Sequence, residues 1–171
     1  PDYKSAEKVL REGFERGCKS GFEHSELNRA LGYVIYSQER YEDAIEAYLA
    51  SVNEPEADPQ KRTNTRYTAA QLMYLTENYQ GSVEQMELWL SEVEVVDQGG
   101  KILLARGYHA LGKKNQALTL VEEVIAEAAA AEQVPRESWL NFQWVLYYEK
   151  NEFRKAVGVN RALLTHYPKI K

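Results

Sequence analysis

Cysteine is almost missing from this chain of 171 residues: the single Cys18 can form no internal disulfide and stands in no ligand-spaced cluster. Three histidines, His24, His109 and His166, are too scattered for a zinc motif. No apolar run approaches the ~20 residues of a membrane-spanning helix. A surplus of positive charge is also lacking. Lys and Arg total 21 against 26 Asp and Glu, a net charge of −5, which argues against a broad nucleic-acid footprint. No glycine-rich nucleophile turn surrounds any serine, and Gly99-Gly100-Lys101 lacks the Gly-x-x-x-x-Gly-Lys-Ser/Thr spacing that cradles phosphate. Glu123 and Glu127 stand four apart, but no His or Cys lies near them in sequence to complete a transition-metal site, so a solvated acidic face is expected. The cations around Cys18, Arg16 and Lys19, favour a thiolate, yet a free cysteine ordinarily behaves as a small hydrophobe. Neither a catalytic constellation nor a metal or other cofactor is implied, and the expectation is a protein that is not an enzyme. The first residue is Pro1 and not methionine, so removal of a signal peptide or a preceding domain is expected.

What is present is a 44% hydrophobic content, enough for a core, and a period. Leu31-Gly32-Tyr33-Val34-Ile35-Tyr36 followed by Tyr41-Glu42-Asp43-Ala44-Ile45-Glu46-Ala47-Tyr48 places small and aromatic residues in the order of the tetratricopeptide pattern. The small residues Ala44, Ser82, Ala117 and Ala156 recur 38, 35 and 39 residues apart by subtraction, with surplus length at Pro55 to Gln60 and near Ala128 to Val134. The chain is thus similar to the tetratricopeptide-repeat family. The resemblance implies an all-α fold of about nine helices, antiparallel pairs in a right-handed superhelix. It divides one domain, 1–171, into a leftover second helix over 1–22 and four units over 25–58, 63–96, 98–131 and 137–168. Polar turns fall at Glu39-Arg40, Asn78, Gly112 to Lys114 and Lys150-Asn151; Gly99-Gly100 and Pro135 mark breaks between units, and Pro135 resembles a first helical turn. Small residues let paired helices approach: Gly32, Ala70 and Ala105 on first helices, the series from Ala44 on second helices. Trp144 departs from this rule. Tyr41, Tyr48, Tyr79, Met86, Trp89, Val121 and Phe153 are expected to fill the space between units.

In this family the first helix of each unit lines a concave face, and positions three and four apart share a helix face. That selects Arg29, Tyr33, Tyr36 and Ser37; then Asn64, Tyr67, Gln71, Tyr74 and Leu75; then Ile102, Arg106 and His109; then Asn141, Val145 and Tyr148. Tyrosine and arginine are enriched where one protein recognises another, so a Tyr-rich groove for a partner segment is expected, with Tyr67, Tyr74 and Arg106 as candidate anchors. His109 is also a candidate for a pH-sensitive contact. Glu46 and Glu122 are expected on outward faces. Co-chaperone members of the family hold a terminal carboxylate with Lys and Asn, but the corresponding positions here read Arg29, Tyr33 and Thr68, so that clamp is not expected. Trp139-Leu140, Tyr147-Tyr148-Glu149, Phe153 and Leu164 to Pro168 resemble the last units of bacterial periplasmic tetratricopeptide proteins that accompany TonB-type energy-transduction systems. This second resemblance implies a periplasmic location, with a cytoplasmic one as the alternative, and a non-catalytic scaffold whose protein partner is a TonB-system component. The alternatives are a self-assembly module forming a homo-oligomer and, remotely, a hydrolase on a helical scaffold.

Overall fold

A computed structural model describes residues 2–168. Among the described residues there are nine helices and no strand: α1 (Tyr3–Glu15), α2 (Gly21–Tyr36), α3 (Tyr41–Val52), α4 (Pro59–Leu75), α5 (Tyr79–Glu92), α6 (Gln98–Ala110), α7 (Lys114–Ala130), α8 (Glu137–Glu149) and α9 (Phe153–His166). From α2 onward, consecutive helices pack as pairs across short polar turns, and α1 packs on α2.

The turns repeat as faithfully as the helices. Each first helix ends at a residue with positive φ: Glu39 at 61°, Glu77 at 62°, Gly112 at 75° and Asn151 at 61°. These four positions keep the same spacing as Ala44, Ser82, Ala117 and Ala156, so one left-handed residue closes every first helix, although glycine supplies it only once. Three of the four first helices also begin alike. Ser20, Asp58 and Asp97 each accept a backbone N–H three residues on, capping α2, α4 and α6. These caps set the helix starts at Gly21 and Pro59, ahead of the expected 25 and 63. Gly99 and Gly100 are not a break: they lie in the first turn of α6, and the connection falls at 93–97. Pro135 lies before the α8 cap Arg136, whereas Pro59 takes the first helical position of α4, where a missing N–H costs nothing. Ala128 to Ala130, expected as loop, are still helical in α7.

The described contacts cluster into two compact units that meet in sequence between Glu94 and Val95. In the first, Leu31, Ile35, Ala44, Tyr48, Ala69, Leu72 and Met73 form the core, with Leu10 and Phe14 of α1 laid against it. Glu7 ties α1 down by accepting from Arg11, from Gln38 at 2.8 Å and from Arg40 at 2.9 Å. Ser82 is buried at its small position because its hydroxyl donates to the Ala70 carbonyl at 2.8 Å across the α4–α5 pair. Arg66 is buried too, its guanidinium held by both carboxylate oxygens of Glu92 at 3.1 and 3.2 Å and by Gln85 at 2.7 Å. In the second unit Leu104, Ala105, Ala117, Val121, Val124, Leu140, Leu146 and Ala156 form the core.

Tyr48, Met86, Trp89 and Val121 are buried as expected of fillers, but Phe153 is exposed. Its ring instead meets Tyr148 at 5.6 Å in a T-shaped contact, and Trp144, the large residue where the other units have small ones, stacks on Tyr148 at 5.2 Å. Ile102, expected on the groove, is buried in the core, because its side chain falls on the inner face of α6.

Candidate functional site

In the first unit, α2 and α4 present two facing rows. Phe22, Glu26, Arg29, Tyr33 and Tyr36 follow three- and four-residue spacing along α2; Lys61, Asn64, Thr68, Gln71 and Leu75 do the same along α4. Lys61 joins the rows, donating to Glu26 at 2.8 Å and standing 5.7 Å above the Phe22 ring. Arg29 donates to the same carboxylate at 2.8 Å. The hydrogen bond from Arg29, reinforced by Lys61, holds the Glu26 carboxyl below its ordinary range, and the same pairing raises Arg29. Between the rows lies an open cavity of about 240 Å³ lined by Arg29, Tyr33, Tyr48, Lys61, Asn64, Thr65 and Thr68. Tyr48 rises into it from α3, with its ring over Gly32, and burial pushes its phenol up to about 12. Phe22, Tyr33 and Tyr36 remain 44%, 57% and 42% exposed.

The other expected residues of this unit divide. Asn64, Gln71 and Leu75 are exposed on the α4 row, and Ser37 donates its hydroxyl to the Tyr33 carbonyl. Tyr67 and Tyr74 are half-buried against α5, the first 5.4 Å from the Trp89 ring and the second 5.3 Å from Tyr79. Tyr36 and Tyr41 pair in the same way at 5.9 Å. Tyr36, Tyr74 and Tyr148 thus share one repeat position as half of an aromatic clasp across the turn, and the third unit fills the clasp with His109 and Lys114, both bonded to Glu149. Phe22, Glu26 and Lys61 are not among the residues that the sequence pattern selects; the spacing that selects Arg29 and Tyr33, carried two turns back, reaches the first two.

In the second unit Arg106 and Asn141 are exposed, and Val145 and His109 are half-buried. His109 Nε2 lies 3.1 Å from Glu149 and its ring meets Phe142 at 5.5 Å, so it is a paired residue, while Lys114 at 2.9 Å is the main cause holding Glu149 below its ordinary range. Glu123 and Glu127 are not a free acidic face: Lys101 binds both. Glu122 is not free either, since it accepts from the Tyr147 hydroxyl, whereas Glu46 is exposed. Cys18 is half-buried in the turn after α1. Among the described residues, no group of three His, Cys, Asp or Glu is placed to hold a metal ion, and no helix is long and apolar enough to cross a membrane.

No family model matches the chain, and no curated protein matches it in sequence. Solved structures do match. MamA is similar over 96% of this chain and 88% of its own, with a TM-score of 0.74 at 15% identity. A kinesin light chain protein of Podosopora anserina with nearly identical TPR-like repeats is similar over 95% and 87%, at 0.71 and 16%. BtubC from P. vanneervenii is similar over 99% and 73%, at 0.67 and 18%. At these identities the likeness is one of fold, and the fold is the all-α tetratricopeptide solenoid.

Proposed function

We propose that this chain is a non-catalytic scaffold that binds a protein segment on the α2–α4 face. The observation that carries the proposal is the exposure of Phe22, Tyr33 and Tyr36 in one row beside a cation-rimmed cavity, above a core that is closed without them. Large rings that a monomer leaves in water next to anchoring polar groups are what recognition surfaces supply. The fold is compatible with that role and does not by itself assign it. Selection of binders from a displayed peptide library tests the reading. Tyr33→Ala is expected to weaken the selected peptides by about 1–3 kcal/mol, and Glu46→Ala on α3 by less than about 0.5 kcal/mol. Indifference to Tyr33→Ala with loss in Glu46→Ala would move recognition to the opposite face.

The finer part of the proposal, a periplasmic location beside a TonB-type system, rests on the resemblance carried by Trp139-Leu140, Tyr147-Tyr148-Glu149 and Leu164 to Pro168. Fractionation of cells making the native gene product, with photo-crosslinking from position 33, tests it; an exclusively cytoplasmic protein would end it. Self-assembly is favoured by a separate observation. Phe153, Val157 and Leu164 share one stripe of α9 and are 52%, 50% and 73% exposed. If a second copy covers that stripe, Val157→Glu converts a sedimenting dimer to monomer; a wild-type chain that sediments as a monomer excludes this reading.

A further inference from the structure

The wall of the cavity between α2 and α4 carries a hydroxyl that the fold leaves unengaged. Tyr48 as a whole is only 5% exposed, and its hydroxyl opens onto the cavity, making no hydrogen bond among the described residues. A hydroxyl so placed is positioned to donate to an acceptor that arrives in the cavity. The surrounding groups say which acceptor. Arg29 and Lys61 bring two positive charges, Glu26 returns one negative charge, and the remaining lining side chains, Tyr33, Asn64, Thr65 and Thr68, are neutral. The cavity therefore carries one uncompensated positive charge beside a free hydroxyl donor.

We infer that this cavity receives the carboxylate of a single acidic side chain in the bound segment, accepting from the Tyr48 hydroxyl and lying against the Arg29 and Lys61 cations. The inference rests on the reading that this face binds a protein segment, and it names the chemistry of that segment. A monoanion balances the cavity, whereas a phosphate dianion would leave a net negative charge desolvated beside Glu26. An internal side chain fits better than a chain end because exposed apolar surface continues along α2 on both sides of the cavity, through Phe22 in one direction and Tyr36 in the other. The Glu26 carboxylate already holds Arg29 and Lys61 in place, so the cations are positioned before the ligand arrives.

The test is a titration of the isotope-labelled full chain, followed by NMR, with four short peptides. The first is acetyl-Leu-Glu-Leu-Tyr-amide. The others replace its Glu by Gln or by phosphoserine, or keep Gln and end in a free carboxylate. The Glu peptide is expected to move the Arg29 Nε–H signal and to bind about tenfold more tightly than the Gln peptide, the worth of a charge-assisted hydrogen bond. Tyr48→Phe, which removes one oxygen atom, and Arg29→Gln should each abolish most of that preference while the melting transition stays cooperative. Equal binding of Glu and Gln peptides, a preference for phosphoserine or for the free terminus, or a Glu preference that survives both substitutions would overturn the inference. Equal binding that still moves the Tyr33 signals removes the carboxylate and leaves the scaffold reading standing. Silence from all four peptides also removes the carboxylate, while the library selection, which is blind to charge, decides the scaffold reading separately.

Discussion

Gly32 and Tyr48 show how a repeat position chosen for packing also shapes the cavity. A Cβ on Gly32 would come within 2.6 Å of the Tyr48 ring, closer than carbon atoms approach. Gly32→Ala therefore sets two effects against each other: about 1 kcal/mol gained in helix propensity and about 1–3 kcal/mol lost to overpacking. Because Tyr48 is buried beside Gly32, overpacking should win, giving net destabilisation of about 1 kcal/mol by chemical denaturation; a stabilised variant would show that the ring yields freely into the cavity. Ala44→Leu and Ala117→Leu carry no such offset. Both alanines have no exposed surface, so each substitution should cost about 1–3 kcal/mol, and an unchanged melting temperature for both would count against the helix contacts described. The opposite sign is expected at Glu77. It sits at φ 62° where the equivalent unit has Gly112, so Glu77→Gly should raise stability by up to about 1 kcal/mol, read as a higher denaturation midpoint.

Helices and turns were the part of the fold most legible in the sequence, for a physical reason. Small residues at Gly32, Ala70, Ala105 and the Ala44 series report the distance between paired helices, and that constraint repeats in every unit. The buried Arg66 was not legible, because an arginine on a helix ordinarily reads as solvated, and its partners Glu92 and Gln85 lie 26 and 19 residues away on α5. Tyr67 and Tyr74 were legible as aromatic positions but not as to which neighbour they meet. Their contacts with Trp89 and Tyr79 make them shared residues, so alanine there would lower stability along with any binding. Ile102 shows the same limit: the face spacing that selects Arg106 and His109 does not tell an inner position from an outer one near a helix start. At this scale Glu92→Ala is the informative change. It leaves the Arg66 guanidinium buried with the Gln85 side chain as its remaining acceptor, so it should cost about 3–5 kcal/mol, far more than an exposed glutamate such as Glu46. A loss below about 1 kcal/mol would mean that Arg66 leaves the interior freely.

At the scale of the whole molecule, charge and periodicity set how stability is distributed. Glu7, Glu26 and Glu149 are each held below the ordinary carboxylate value of 4.5, chiefly by hydrogen bonds from Arg11, Arg29 and Lys114 respectively. A carboxylate depressed in the folded state contributes stability that is present above 4.5 and is lost as pH falls through its folded value. Stability should therefore fall on acidification below about pH 4.5, and Glu26→Gln should flatten part of that slope; an acid limb identical to wild type would remove Glu26 from the linkage.

The two compact units lead to a sharper expectation, because in a repeat chain each helix pair is stabilised by its own interior and by immediate neighbours only. A perturbation should then be felt locally and fade with distance along the chain, unlike the all-or-none response of a single small core. Ala44 and Ala117 provide matched probes: both are fully buried at the same repeat position, one before Glu94 and one after Val95. In native-state hydrogen exchange, Ala117→Leu should accelerate α6 to α9 by about tenfold or more for each ~1.4 kcal/mol lost, while α2 to α4 change by less than about twofold. Ala44→Leu should give the mirror pattern. If either substitution instead speeds exchange equally from α2 to α9, the chain unfolds as one cooperative body, and nearest-neighbour stabilisation is the wrong account of it.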